Sequence, residues 1–521
     1  MIDGQQRVVT CFILFTALRN YLINEKSDSF ASDDINRKVL QNRNDKMSLR
    51  LKSIPNSTKN TDEQNSFTLI WRNKDISSHK DNVAINYKEI YSWIKENDFS
   101  YIDIKKGLEK MIINATEFKK DDSKSEINVH QVFESINSLG KGLTPVDLIR
   151  NYLLMNFKDS KVQDEMFEEY LKEIDGELND SKKDSIKNIN VFYRSFLVYL
   201  LNVRVDNEKM YNLLTNTYFD KKLSEEKARF FLQSLNDYYL IYKKIYIDDI
   251  HSNNKYSKIF KNSDYIIPNK NIYIKKGITP NIPLIPLVIK LYTFYDDLNI
   301  IDSSELEKSL KLINDWTFRR SIIRANDKNL NGVIPNILKK LIEKNANVVE
   351  NKESIYSVLK SIIEDSSEKF VSNEAIKESM KVQNFYKNKT KEFLLMKIEQ
   401  DMSDLKFVIN DDVNVDHIIP RKPSTEKRKE IMSELNIIEL ERYDEIVNNI
   451  GNLALLDKSK NIVKSNSVDD IDKKILFYSD YPSNKKIIAK IKLNKYWNND
   501  DIKSRREFIT EKINNIWKTN L

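Results

Sequence analysis

Apolar residues are arranged differently in three stretches of the chain. From Val8 to Leu18 they crowd into one run, "VVTCFILFTAL". This run is well short of the roughly 20 residues that a bilayer requires and is closed by Arg19, so it predicts a buried helix. A polar, aperiodic segment then leads to "MSLRLKS", whose alternation predicts a short strand. "EIYSWIKEN" and "YIDIKKGLEK" predict helix, "MIINATEF" a second strand, and "KKDDSKSE" a solvated turn. Further on, "VHQVFESINSLGKGLTPVDLIRNYLLM" predicts two helices around a glycine-bearing loop, with Thr144 and Pro145 as N-cap and first turn of the second. Residues 160 to 400 repeat apolar positions at helical spacing, as in "VFYRSFLVYLLNV" and "ESIYSVLKSIIE". In the last 120 residues "LKFVINDDVNVDHIIP" and "IGNLALLD" predict strands, "STEKRKEIMSEL" predicts a helix, and "SKNIVKSN" opens another.

The pattern is that of an α+β chain, mostly helical, in three regions: 1–157, a helical connector at 158–400, and 401–521. A length of 521 residues suits several domains. The balance of 85 Lys+Arg against 78 Asp+Glu is only mildly basic, and with so many Lys, Asn, Ile and Tyr it says little about nucleic acid by itself. The single cysteine, Cys11, excludes disulfides within the chain and points to a reducing cytoplasm. With four scattered histidines no zinc cluster can form, so any metal must be held by oxygen ligands. Asp3 spoils the basic start that a secretory signal needs, and no segment is apolar enough to span a membrane.

Chemistry is densest near the C-terminus. Asp416 and His417 end a β-branched run, Gly451 and Asn452 enter a second strand, and Asn461 follows nine residues after Asn452. Each feature alone is common: an Asp-His pair on a surface, a Gly-Asn turn, an asparagine cap. Together they place His, Asn and Asn on a strand, a turn, a strand and a helix, the order that a ββα-metal nuclease finger requires. Phosphodiester hydrolysis needs a base for the water and a cation for the charge developing on phosphate. In this reading His417 is the base and Asn452 holds the loop that orients it. Asp416 and Asn461 offer two oxygens that suit Mg²⁺ or Mn²⁺ better than zinc.

"VDHIIPRK", "IGNLALLDKSKN" and "YWNNDDIKSRREFITEKINNIW" resemble the HNH nuclease domain of modification-dependent restriction enzymes. "DGQQRVVT" and "VFESINSLGKGLTPVDLIRNYLL" resemble their partner, a ParB/sulfiredoxin-like nucleotide-binding domain. Both, in this order, are similar to the GmrSD-type family. The resemblance implies an HNH endonuclease that restricts modified or phage DNA in bacterial defence, with a nucleoside triphosphate as cofactor and the same roles for His417, Asp416, Asn461 and Asn452. It also implies nucleotide binding by Asp3, Gly4, Gln5, Gln6 and Arg7. There Gly4 would let backbone approach a phosphate, the helix start would offer N–H groups, and Arg7 would add a fork of donors.

Asn137, Gly140, Leu143 and Asp147 match the family pattern and are expected to frame that pocket, although Asp147 reads equally as a first-turn acid favoured by the helix dipole. In the family, further strands and helices precede the DGQQR motif. The expectation is therefore an incomplete pocket with weak NTPase activity, an exposed sheet edge and a partly uncovered first helix, completed by an upstream polypeptide or met by a homo-oligomer. Lys485, Lys486, Lys490, Lys492 and Lys495, interleaved with Tyr481, Tyr496 and Trp497, make a candidate DNA-backbone patch or a solvated face, and Arg319 and Arg320 are a similar case. Two rival readings stay open: a DNA- or nucleotide-binding regulator that senses without cutting, and an RNA nuclease with the same finger.

Overall fold

The computed structural model describes residues 5–41, 62–110, 144–157, 159–178, 184–220, 223–269, 278–351, 353–403, 413–457, 474–478 and 481–519. The chain divides into two compact units, Met1–Thr144 and Pro145–Leu521. Among the described residues it is mostly helical, with a single two-stranded sheet. No described helix is long and apolar enough to cross a membrane.

In the first unit the apolar run forms the helix Gln5–Asn24. Phe12, Ala17, Leu18, Tyr21 and Leu22 pack with Ile35, Leu40, Ile94 and Ile104, while Ile13 meets Ile70 and Ala84 from the neighbouring helices and Ile76 from the loop between them. Two of the surrounding helices start where an aspartate caps a free N–H: Asp28 accepts from Ala31 at 2.9 Å and Asp81 from Ala84 at 3.0 Å. Asn82–Asn97 and Asp62–Trp71 cover most of the apolar face of the first helix, and Val8 and Ile23 remain as exposed large apolar residues on it. Arg19, which closes the run, is also buried. It donates to Asn20 Oδ1 at 3.0 Å and to the Trp71 carbonyl, and burial lowers its pKa to about 10. The expected strands "MSLRLKS" and "MIINATEF" lie outside the described residues, as do Asn137, Gly140 and Leu143.

The second unit has three cores. The largest gathers the helices from Pro145–Leu154 to Ile355–Glu364, with Phe192 edge-on to Tyr193, Tyr239 and Tyr242 at 5.6, 5.9 and 5.2 Å between centroids. The helix Ser303–Ile322 serves two cores: Leu306, Leu310, Ile313 and Trp316 lie in the first, Phe318 and Ile322 in the next. That second core also holds Phe393, Leu395, Ile509, Ile513 and Trp517, and the Phe318 and Trp517 rings stack at 3.8 Å. A third, smaller core packs the opposite face of the sheet.

Candidate active site

β1 (Val413–His417) and β2 (Leu453–Asp457) pair antiparallel, with His417 opposite Leu453 and Asp416 opposite Ala454. Successive strand residues face opposite sides. Val413, Leu453 and Leu455 therefore enter the second core, Ala454 and Leu456 the third, and the ribbon is a wall between them. The helices Thr425–Glu434 and Leu440–Val447 fill the connection from β1 to β2, and a tight turn, Ile450–Asn452, delivers the chain into β2. Glycine is required in that turn. A Cβ on Gly451 would lie 2.0 Å from the backbone oxygen of Ile502 in the helix Asn499–Ile516.

The segment after β1 is fixed at every carbonyl from His417 to Pro420. Asn452, fully buried, donates to Ile419 O at 3.0 Å and accepts from Ile419 N at 2.8 Å, while its own carbonyl takes Ile418 N at 2.9 Å. Tyr443 donates to Pro420 O at 2.6 Å. Lys474 is buried to 1% exposure and donates to His417 O at 3.0 Å and to Ile418 O at 3.2 Å. Asn452 thus holds the loop beside the imidazole through the backbone.

The imidazole itself is held by a residue that sequence reasoning did not single out. Asn448 Oδ1 lies 3.3 Å from His417 Nε2, and Asn448 Nδ2 donates to the Asp444 carbonyl at 2.7 Å. A carbonyl only accepts, so the amide nitrogen must face Asp444 and its oxygen must face the ring. His417 therefore carries its proton on Nε2 and leaves Nδ1 as the acceptor. Burial is the main reason that its pKa falls to about 4; the Asn448 bond and Asp416 oppose the shift, and Arg421 and Lys474 add to it. At neutral pH the ring is the uncharged form that can take a proton. It packs against Tyr386, with centroids 4.3 Å apart, and the Tyr386 turn is docked by its own N–H on Asn448 O at 3.2 Å. Asn448 and Tyr386 are tertiary neighbours of the ring; for Asn448 the signal in the sequence was the density of asparagine in "NNIGN".

Asp416, on the other face of the ribbon, accepts a hydrogen bond from the buried Tyr478 hydroxyl, so each member of the Asp-His pair has its own side-chain partner. As a carboxylate at the end of β1 it is a hard oxygen donor of the kind that Mg²⁺ or Mn²⁺ takes. Asn461, the second expected ligand, lies outside the described residues, and the described residues contain no group of three or more His, Cys, Asp or Glu that could hold a metal.

Elsewhere the expected sites fare differently. Gln5, Gln6 and Arg7 form the first turn of the opening helix, while Asp3 and Gly4 lie outside the described residues. Asp147 sits in the first turn of Pro145–Leu154, 3.6 Å from Arg150, as a helix acid would. Arg319 and Arg320 are not a DNA-facing pair, for both are buried. Arg319 donates to Val371 O, Asn373, Asn514 and Trp517 O at 2.8 to 3.1 Å, and Arg320 pairs with Glu368. The five lysines from Lys485 to Lys495 are all exposed, but of their aromatic neighbours Tyr481 and Trp497 are core and only Tyr496 is exposed.

No curated protein matches the chain. Two family models do: the N-terminal domain of GmrSD restriction endonucleases matches residues 1–154, and the C-terminal domain of the same enzymes matches residues 370–512, the segment that contains both strands and the His417 site. Between them they account for more than half of the sequence in the family's own order, and the chain belongs to the GmrSD restriction endonuclease family, whose members are DNA-cutting hydrolases of defence systems.

Proposed function

We propose that this chain hydrolyses phosphodiester bonds of foreign or modified DNA at His417, as an HNH-type ββα-metal nuclease whose activity responds to a nucleoside triphosphate. The observation that carries the reading is the state of His417: a neutral imidazole at a rigid strand end, its Nε2–H on Asn448 and its Nδ1 left to accept. Nδ1 takes a proton from water as the water oxygen attacks phosphorus and the bond to the leaving oxygen breaks. Asn452, Tyr443 and Lys474 keep the ring's backbone still, which matters because a misplacement of about 1 Å can cost about 10²-fold in rate. Asp416 with Asn461 would hold Mg²⁺ or Mn²⁺, which supplies charge stabilisation at the phosphate. At the N-terminus Asp3 to Arg7 would bind the triphosphate, and Gln5 opens a helix whose first N–H groups suit phosphate.

The test is cleavage of modified and unmodified plasmid with Mg²⁺ and each of four nucleotides. His417→Ala is expected to lose about 10² to 10⁴ in rate while remaining folded. A His417→Ala protein that nicks at wild-type speed would remove the assignment. Asn461→Ala is expected to raise the Mg²⁺ concentration needed for half-maximal cutting, and an unchanged titration would return Asn461 to a capping role.

A further inference from the structure

Two cations share the ring that covers His417. The Arg421 guanidinium lies 5.1 Å and the Lys391 ammonium 5.3 Å from the Tyr386 centroid. Among the described residues neither side chain makes an ion pair or a hydrogen bond, although the chain holds 78 acidic residues to pair with. On the two nearby helices Lys427 pairs with Glu430 at 2.7 Å and Arg442 with Glu445 at 2.7 Å. Lys387, Lys389 and Lys422 stand exposed on the same two segments. The two cations are fixed from different sides. Arg421 follows directly on Pro420, whose carbonyl is tied to Tyr443, and Lys391 starts a helix just after the turn that Asn448 docks. Positive charge that no described acid offsets, held on a ring face beside His417, is suited to a phosphate.

We infer that Lys391 and Arg421, seated on Tyr386, form a phosphate clamp that grips the DNA backbone beside the bond His417 acts on. This rests on the nuclease reading above, but it is a claim about binding and can fail separately. The experiment measures binding of a labelled DNA duplex, over a series of salt concentrations, by full-length protein carrying His417→Ala so that the substrate stays intact. Adding Lys391→Gln and Arg421→Gln is expected to weaken binding and to flatten the slope of log affinity against log salt by about one per lost contact. Arg421→Lys should keep the slope, and Tyr386→Ala should weaken binding while Tyr386→Phe leaves it unchanged. An unaltered slope and affinity in the double glutamine variant, with an unchanged melting temperature, would overturn the clamp even if His417→Ala is inactive. Wild-type cutting by His417→Ala would instead overturn the nuclease site, and the salt slopes, taken with chelator in place of Mg²⁺ so that the duplex stays intact, would still decide the clamp.

Discussion

Which nitrogen of His417 accepts a proton is decided by an amide on a neighbouring helix end. Asn448 can present its oxygen to the ring only because its nitrogen is committed to the Asp444 carbonyl, so one side chain sets both the tautomer and the ring angle. Asn448→Ala is therefore expected to slow DNA cleavage by about 10²-fold in single-turnover assays, with DNA affinity unchanged. A drop in affinity of the same size would make Asn448 a binding residue instead. A few residues on, Gly451 is constrained by space: a methyl group would collide with the Ile502 backbone oxygen, and backbone cannot swing away as a side-chain tip can. Gly451→Ala should lower stability by about 1 to 3 kcal/mol, read as a shift in the denaturant midpoint without a change in slope.

The helix Ser303–Ile322 shows what a charged segment can hide. Its spacing predicts a helix, and Arg319 and Arg320 by type predict a surface. The structure instead buries Arg319 with four hydrogen bonds at 2.8 to 3.1 Å, at least one to each guanidinium nitrogen, and a guanidinium so partnered is tolerated where an unpaired one is not. The unbroken apolar run made the Gln5–Asn24 helix legible, and the β-branched and apolar runs made the two strands legible, since an element covered on both faces reads as nearly continuous apolar sequence. Asp416, His417 and Asn452 were legible by type and order. Asn448, Tyr386, Lys474 and Tyr478 were not, because their meaning lies in contacts across 31 to 62 residues or in a ring stacked from another turn. The same helix carries Asp315, at 1% exposure, whose carboxyl is pushed up to about 6 by burial despite Lys311 and Arg319 beside it. A carboxyl whose folded pKa is raised above its unfolded one stabilises fully below the unfolded value, and that stability is lost as pH rises through the folded value. The stability of wild type minus that of Asp315→Asn should therefore fall between about pH 4 and pH 6, by about 3 kcal/mol in total. Urea melts at several pH values check it, and a constant difference would mean that Lys311 and Arg319 cancel the effect of burial and leave Asp315 titrating as in the unfolded chain.

The boundaries of the family match and the boundaries of stable folding do not coincide. Residues 370–512 contain the nuclease strands, yet the core beneath β1 and β2 is completed by Ile278, Phe318 and Ile322 from upstream and by Ile513 and Trp517 from downstream. Arg319 ties the Ser303–Ile322 helix to Asn514 and to the Trp517 carbonyl, and Lys397 pairs with Asp264. Cutting at residue 370 would expose the Phe318 side of Trp517 and orphan the groups that Arg319 satisfies. By contrast, among the described residues the three cores of the second unit hold residues from Val146 onward and the two cores of the first unit hold residues up to Ile104. A fragment of residues 145–521 is therefore expected to melt in a cooperative transition and to keep the Mg²⁺-dependent nicking proposed for His417, while losing its response to nucleotide. A fragment of residues 370–521 should bind a dye for exposed apolar surface and show no cooperative melt. If the shorter fragment folds and cuts, the helical residues before 370 are an attached neighbour of the nuclease core. If only the longer one does, those residues are part of the core itself, and Phe318→Ala in the full chain should then cost about 3 to 5 kcal/mol and lower cutting through loss of folded protein.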